Sequence, residues 1–277
     1  MIHDDRGAWP PVAAHGPLRA KPGSVLGKRC FVLDLDGTVY LGDKPIKGAV
    51  EFIRRRWEDC DFYFLSNNTS RGPAAYIKKL GGMGIPAEAR QLLSPTLPLV
   101  AYLRETGIER AYLVGNRDYS GALAEAVPEL HLGPEDAQAV ILAYDTELTY
   151  EKLRISAHLL QKPETVYLAT HPDLVCPDPA GPLPDVGSFI ALYEKAVGRL
   201  PQRIFGKPDP AVLGTLPSLY PREAMVIAGD RLSTDKKLAD NAGIDFILVL
   251  SGEAKADDLR GEERLPWRTV RDLGELS

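Results

Sequence analysis

Apolar runs that stop abruptly in polar clusters constrain this chain more than any other feature. Cys30-Phe31-Val32-Leu33 breaks into Asp34-Leu35-Asp36-Gly37-Thr38, and Phe62-Tyr63-Phe64-Leu65 breaks into Ser66-Asn67-Asn68. Runs this short, wholly apolar and bounded by turn residues read as buried strands. Between them, Val50, Ile53 and Trp57 recur at helical spacing over 48–58 while Glu51, Arg54 and Arg55 fall on other faces. Strand, helix, strand in that order predicts a parallel βαβ unit. In open parallel sheets, ligands bind beyond the carboxyl ends of the strands, where these polar clusters stand.

A second rhythm starts at Ser94-Pro95, a serine cap with proline at the first helical position. Apolar runs follow at 111–114, 139–142 and 166–169 with helical stretches between them, which predicts a second α/β layer system. The segment 171–187 is dense in Pro, Asp and Gly and reads as an ordered loop of the length at which loops are often functional. After a helix near 189–197 come strand and turn at Ile204-Phe205-Gly206-Lys207-Pro208, a strand at 225–228 ending in Gly229-Asp230, and another at 246–250 ending in Ser251-Gly252.

Residues 1–25 carry charges, prolines and glycines where a signal peptide would need an apolar run, and read as a loosely ordered arm. No window approaches the ~18 apolar residues of a membrane span. Lys and Arg number 33 against 38 Asp and Glu, a net charge of −5, which disfavours a nucleic-acid groove. Cys30, Cys60 and Cys176 are odd in number, far apart and without a CxxC pair. Neither a disulfide framework nor a zinc site is indicated, and a reducing cytoplasm fits.

Four clusters could carry chemistry. Asp34 and Asp36 stand two apart, so in a strand both carboxylates would point the same way and their repulsion would ask for a cation; a bare DxDG is equally a polar turn. Ser66, Asn67 and Asn68 offer a hydroxyl and amides to phosphate oxygens, or a helix cap. Lys207, held between Gly206 and Pro208, could be aimed at a fixed anion. Asp230 and Asp235 read as a metal ligand and its partner, or as part of a helix capped by Ser233 or Thr234. Together the clusters supply nucleophile, acid, hydroxyl, cation and metal ligand without duplication.

The set DLDGT (34–38), SNNTS (66–70), GKPDP (206–210) and GDRLSTD (229–235), in that order, resembles the four signature motifs of the haloacid dehalogenase-like hydrolase superfamily. VYLGDKPIKGA after the first motif and NAGIDFILVLSG after the last are similar to its NagD-type, nitrophenyl-phosphatase branch, and the likeness spans about residues 29–252. The resemblance implies an α/β fold with a Rossmann-like parallel-sheet core (26–93 and 201–277) and an inserted α/β cap domain (94–200). THPD (170–173) and VGSFIALYEKAVGR (186–199) also resemble that cap. Lys236-Lys237 departs from the branch, which usually has an apolar residue there. Cys176 stands where some pyridoxal-phosphate phosphatases carry histidine, which disfavours that substrate.

The function so implied is a Mg²⁺-dependent phosphatase acting through an aspartyl-phosphate on a small phosphorylated metabolite: a sugar phosphate, nucleotide, phosphoglycolate or aryl phosphate. Asp34 would be the nucleophile and Asp36 the general acid, then base. Ser66 and Lys207, with Asn67 and Asn68 beside them, would bind the phosphoryl group. Asp34, the Asp36 backbone carbonyl and Asp230 would hold the metal, with Asp235 steadying them. Asp173, Cys176 and Ser188 of the cap would meet the leaving group, and a homodimer through the cap is a further expectation. A phosphoryl-transfer mutase would share the first-motif aspartates, but the large cap argues against it. A non-catalytic phosphometabolite-binding regulator would not need every catalytic side chain.

Overall fold

The computed structural model describes residues 24–178 and 180–276. They fall into two compact units, one of residues 24–66, 77–93 and 207–276, the other of residues 67–76 and 94–206.

The first unit is built on a six-stranded parallel sheet in the order Arg268–Val270, Asp245–Val249, Met225–Gly229, Cys30–Asp34, Asp61–Leu65, Leu92–Leu93. Cys30–Asp34 and Asp61–Leu65 are buried at every position, as continuous apolar strands covered on both faces must be. The helix Lys47–Arg56 buries Ala49, Val50, Phe52 and Ile53 and places Arg54, Arg55 and Arg56 in its last turn, where cations favour the helix dipole. Phe52 meets Phe31 edge-on with ring centroids 5.5 Å apart, and Trp57 stacks on Phe62 at 5.9 Å. The chain builds outward from Cys30–Asp34 on one side and later resumes on the other at Met225–Gly229. Strand order reverses between those two strands, and a parallel sheet opens its ligand crevice at such a reversal.

The inserted unit has its own parallel sheet, in the order Arg203–Ile204, Val166–Ala169, Ala139–Leu142, Arg110–Val114, His131–Leu132. Strand alternation splits its apolar residues between two faces. Val140, Leu142, Tyr167 and Ala169 pack with Val186, Phe189, Ile190 and Tyr193 of the helix Val186–Val197. Ala139, Ile141 and Leu168 pack with Leu99, Val100 and Leu103 of the helix Thr96–Thr106 and with Leu123 of the helix Arg117–Ala126. Asn116 caps the latter by accepting from the Tyr119 N–H.

Several boundaries differ from the sequence reading. Arg203–Ile204 pairs with Leu168 and Ala169, and Phe205 packs in the inserted unit's core, so this unit runs to Gly206 rather than ending at 200. Residues 67–76 also join it. Thr69 Oγ1 lies 3.1 Å from Thr170 Oγ1 and accepts from the Tyr144 N–H at 3.0 Å, and Asn116 Nδ2 donates to the Ser70 carbonyl at 2.7 Å. The segment 171–187 is not loop throughout: Val175–Cys176 and Leu183–Pro184 pair antiparallel, and Asp185 opens the next helix at Val186 by accepting from its N–H. Ser94 Oγ accepts from the Thr96 N–H at 3.2 Å, and the helix starts at Thr96, one residue beyond the proline. Of the expected N-terminal arm, residues 1–23 lie outside the described residues, while Val25 is buried and bridges to Lys28. Among the described residues no helix is long and apolar enough to cross a membrane.

Candidate active site

Register places the first unit's polar clusters side by side. Leu33 pairs with Ala228 and Asp34 with Leu65, so Asp230 and Ser66 each lie just past the paired positions flanking Asp34. The strand ends at Asp34, however, so Asp34 and Asp36 do not share a strand face as the sequence spacing predicts. Asp34 is buried, whereas Asp36 sits in the following turn, exposed, with Oδ1 accepting from the Gly42 N–H at 3.3 Å. Although the residue is exposed, partial desolvation of its carboxyl raises the Asp36 pKa above its ordinary range, against Gly42, Lys79 and Arg231, which lower it.

Lys207 is the centre of charge. The residue is 3% exposed, and its ammonium is paired with Asp34 and lies 2.6 Å from Asp235 Oδ1. Burial alone would lower the Lys207 pKa, but Asp235 and Asp34 outweigh it and hold the group firmly protonated. Burial lifts the Asp34 carboxyl well above its usual range, opposed by Lys207 and assisted by Asp235 and Asp230. Asp230 is pushed up to about 6 by burial and then by Asp235.

Asp34, Asp230 and Asp235 bring carboxylate oxygens within 4.8 Å of one another, all buried. The Asp36 side chain is not in that group. Asp230 Oδ2 accepts from the Glu253 N–H at 2.6 Å, while Asp230 Oδ1 is buried without a hydrogen-bond partner among the described residues. Three buried carboxylates facing the Lys207 ammonium leave negative charge uncompensated, and an orphaned carboxylate oxygen beside them is a donor awaiting a hard cation. The donor set therefore fits a hard divalent cation.

Glycines make this crowding feasible. A Cβ on Gly37, whose φ is +88°, or on Gly252 would sit inside the Asp230 carboxylate, and one on Gly229 inside that of Asp235. Sequence reading missed this function of the three glycines, and it missed Glu253 and Ser251, whose hydroxyl donates to the Gly37 carbonyl at 2.7 Å. Their signal was present only as small and polar residues at strand ends.

The remaining residues singled out from sequence divide between the units. Ser66 belongs to the first and is half-buried, its N–H donating to the Leu93 carbonyl at 3.1 Å. Asn67 and Asn68 belong to the inserted unit: Asn67 Nδ2 donates to Asp173 Oδ1 at 3.1 Å, and Asn68 Oδ1 accepts from the Ser70 N–H and hydroxyl. Cys176 lies in the short hairpin, and Ser188 Oγ donates to the Leu174 carbonyl at 2.6 Å.

A family model described as haloacid dehalogenase-like hydrolase matches residues 31–127, and a HAD-hydrolase-like model matches residues 204–276. The 4-nitrophenylphosphatase of Thermotoga maritima is 37% identical, with a TM-score of 0.84 over 90% of this chain and 96% of that one. The glycerol phosphate phosphatase Rv1692 of Mycobacterium tuberculosis, solved in complex with magnesium, is 26% identical, with a TM-score of 0.81 over 92% of this chain and 78% of that one. The acid sugar phosphatase of Staphylococcus haemolyticus is 28% identical over 88% of this chain and 93% of its own length. With its parallel core, inserted α/β unit and motif-bearing strand ends, the chain belongs to the haloacid dehalogenase-like hydrolases, in their NagD-type branch. Within that family it is a phosphatase.

Proposed function

We propose that this chain hydrolyses a small phosphomonoester with Mg²⁺ and through an aspartyl-phosphate on Asp34. The observation that carries the reading is the buried constellation of Asp34, Lys207, Asp235 and Asp230, with the Asp230 oxygen left unsatisfied. When bound by Asp34, Asp230 and the Asp36 carbonyl, Mg²⁺ supplies positive charge to the phosphoryl oxygens. Asp34 Oδ attacks phosphorus in line, forming an O–P bond as the bond to the leaving oxygen breaks. Asp36, exposed and with a raised carboxyl pKa, protonates the leaving oxygen and then takes the proton from the water that opens the acyl phosphate. Lys207 offsets the charge that builds on the phosphoryl oxygens, and the Ser66 hydroxyl donates to one of them. Asp235 holds the Lys207 ammonium in place and accepts from the Arg231 N–H at 3.1 Å.

The names of the relatives support a phosphorylated metabolite of sugar, glycerol or aryl type as the substrate class. A panel of sugar phosphates, nucleotides, phosphoglycolate and 4-nitrophenyl phosphate, assayed for released phosphate, tests the reading. Chelator should abolish turnover, Mg²⁺ should restore it, and folded Asp34→Asn should be inactive. Full activity in chelator, or normal turnover in Asp34→Asn free of deamidation, would overturn it.

A further inference from the structure

His171 is completely buried between two carboxylates. Its Nδ1 lies 3.8 Å from Asp173 Oδ2 and its Nε2 3.6 Å from Asp185 Oδ1, and those side chains are only 9% and 5% exposed. Carboxylates buried this deeply are costly without a cation, and a ring with one at ion-pair rather than hydrogen-bond distance from each nitrogen is matched electrostatically when it carries a positive charge. The neighbouring Tyr144 phenol adds no charge, because burial, then Cys176 and Asp185, push it well above its ordinary range.

The cluster reaches further through Asp173. Its Oδ1 accepts from Asn67 Nδ2, its carbonyl accepts from the Gly187 N–H at 2.8 Å, and Asp185 caps the helix Val186–Val197. A Cβ on Gly206 would fall 2.7 Å from Asn67 Oδ1 and 3.0 Å from the Thr170 carbonyl, so the Asn67 carboxamide is boxed at both ends. Asn67 and Gly206 are also where the chain crosses between units, each one peptide bond from a residue assigned to the phosphoryl group, Ser66 and Lys207.

We propose that His171 is a positioning residue for phosphate binding: as an imidazolium it holds Asp173, which fixes the Asn67 carboxamide and with it the junction to Ser66. This rests on the reading of Ser66 as a phosphoryl ligand. On this view Asp173 orients the chain rather than reading the leaving group.

Two measurements on the full chain test it. In protein labelled with ¹⁵N-histidine at pH 8, where a free histidine of pKa about 6.5 is neutral, the resonance missing from His171→Gln should show a doubly protonated ring in the parent. It should revert to a neutral ring in Asp173→Asn, a substitution that preserves shape. In kinetics with 4-nitrophenyl phosphate, His171→Gln and Asn67→Ala should each raise KM about tenfold with kcat nearly kept. The double variant should be no worse than either alone, as for residues acting in one chain of contacts. A neutral ring in the parent, or KM effects that multiply, would overturn the proposal while leaving the phosphatase reading intact. Ser66→Ala run alongside separates the two: an unchanged KM there would remove the phosphoryl role of Ser66, and the proposal with it.

Discussion

At the scale of single residues, the site depends as much on what is missing as on what is present. Gly37 combines a left-handed backbone with a position where any side chain would displace Asp230, so Gly37→Ala should cut kcat by about 10²-fold, as ångström displacements of catalytic groups do. Gly84→Ala is the contrast. Its φ is +79°, but nothing approaches closer than 3.9 Å, so it should cost about 1 kcal/mol of stability with kcat unchanged. Equal loss of activity in both would place the Gly37 effect in the backbone rather than in the carboxylate it makes room for. The types and order of Asp34, Ser66, Lys207, Asp230 and Asp235 were legible in the sequence because each closes or follows a turn after an apolar run. The pairing of Lys207 with both Asp34 and Asp235 was not, since it joins residues 173 and 28 positions apart and leaves no periodic trace.

Among secondary-structure elements, legibility followed the length of the apolar run. The four-residue strands Ala139–Leu142 and Val166–Ala169 are where the sequence placed them. Arg203–Ile204 overlaps the strand read at Ile204-Phe205, whereas a two-residue strand such as Val175–Cys176 exists only through its partner and has no signature of its own. The same holds for residues 67–76, which join the inserted unit through long-range side-chain bonds. Asn116 carries much of that attachment while also capping its own helix. Asn116→Ala should therefore destabilise by about 2 kcal/mol, a cap plus a buried carbonyl left unsatisfied, measured by denaturant unfolding. A loss no larger than that of Thr149→Ala, which removes only a cap bond to the Lys152 N–H, would show that the Ser70 link contributes nothing.

On the scale of the whole molecule, the three thiols report on folding. Cys30 and Cys60 are fully buried, and burial, reinforced for Cys60 by Asp59, raises both thiols, Cys60 from 9.0 to about 11. A raised folded pKa means the folded state keeps its proton longer. The Cys60 contribution to stability is therefore intact below pH 9.0 and lost as the pH rises through about 11. At pH 8 an alkylating reagent should label half-buried Cys176 quickly, and Cys30 and Cys60 only at the rate of global unfolding, as peptide mass mapping over time can show. Fast labelling of Cys60 would mean that the first unit opens locally at the start of Asp61–Leu65. The stitching of residues 67–76 also bears on protein engineering. A chimera grafting only 94–206 from a homologue would set a foreign scaffold against native Thr69 and Ser70 and lose their bonds to Tyr144, Thr170 and Asn116. The transplantable module is discontinuous, and a donor for a new specificity must contribute both pieces of chain together.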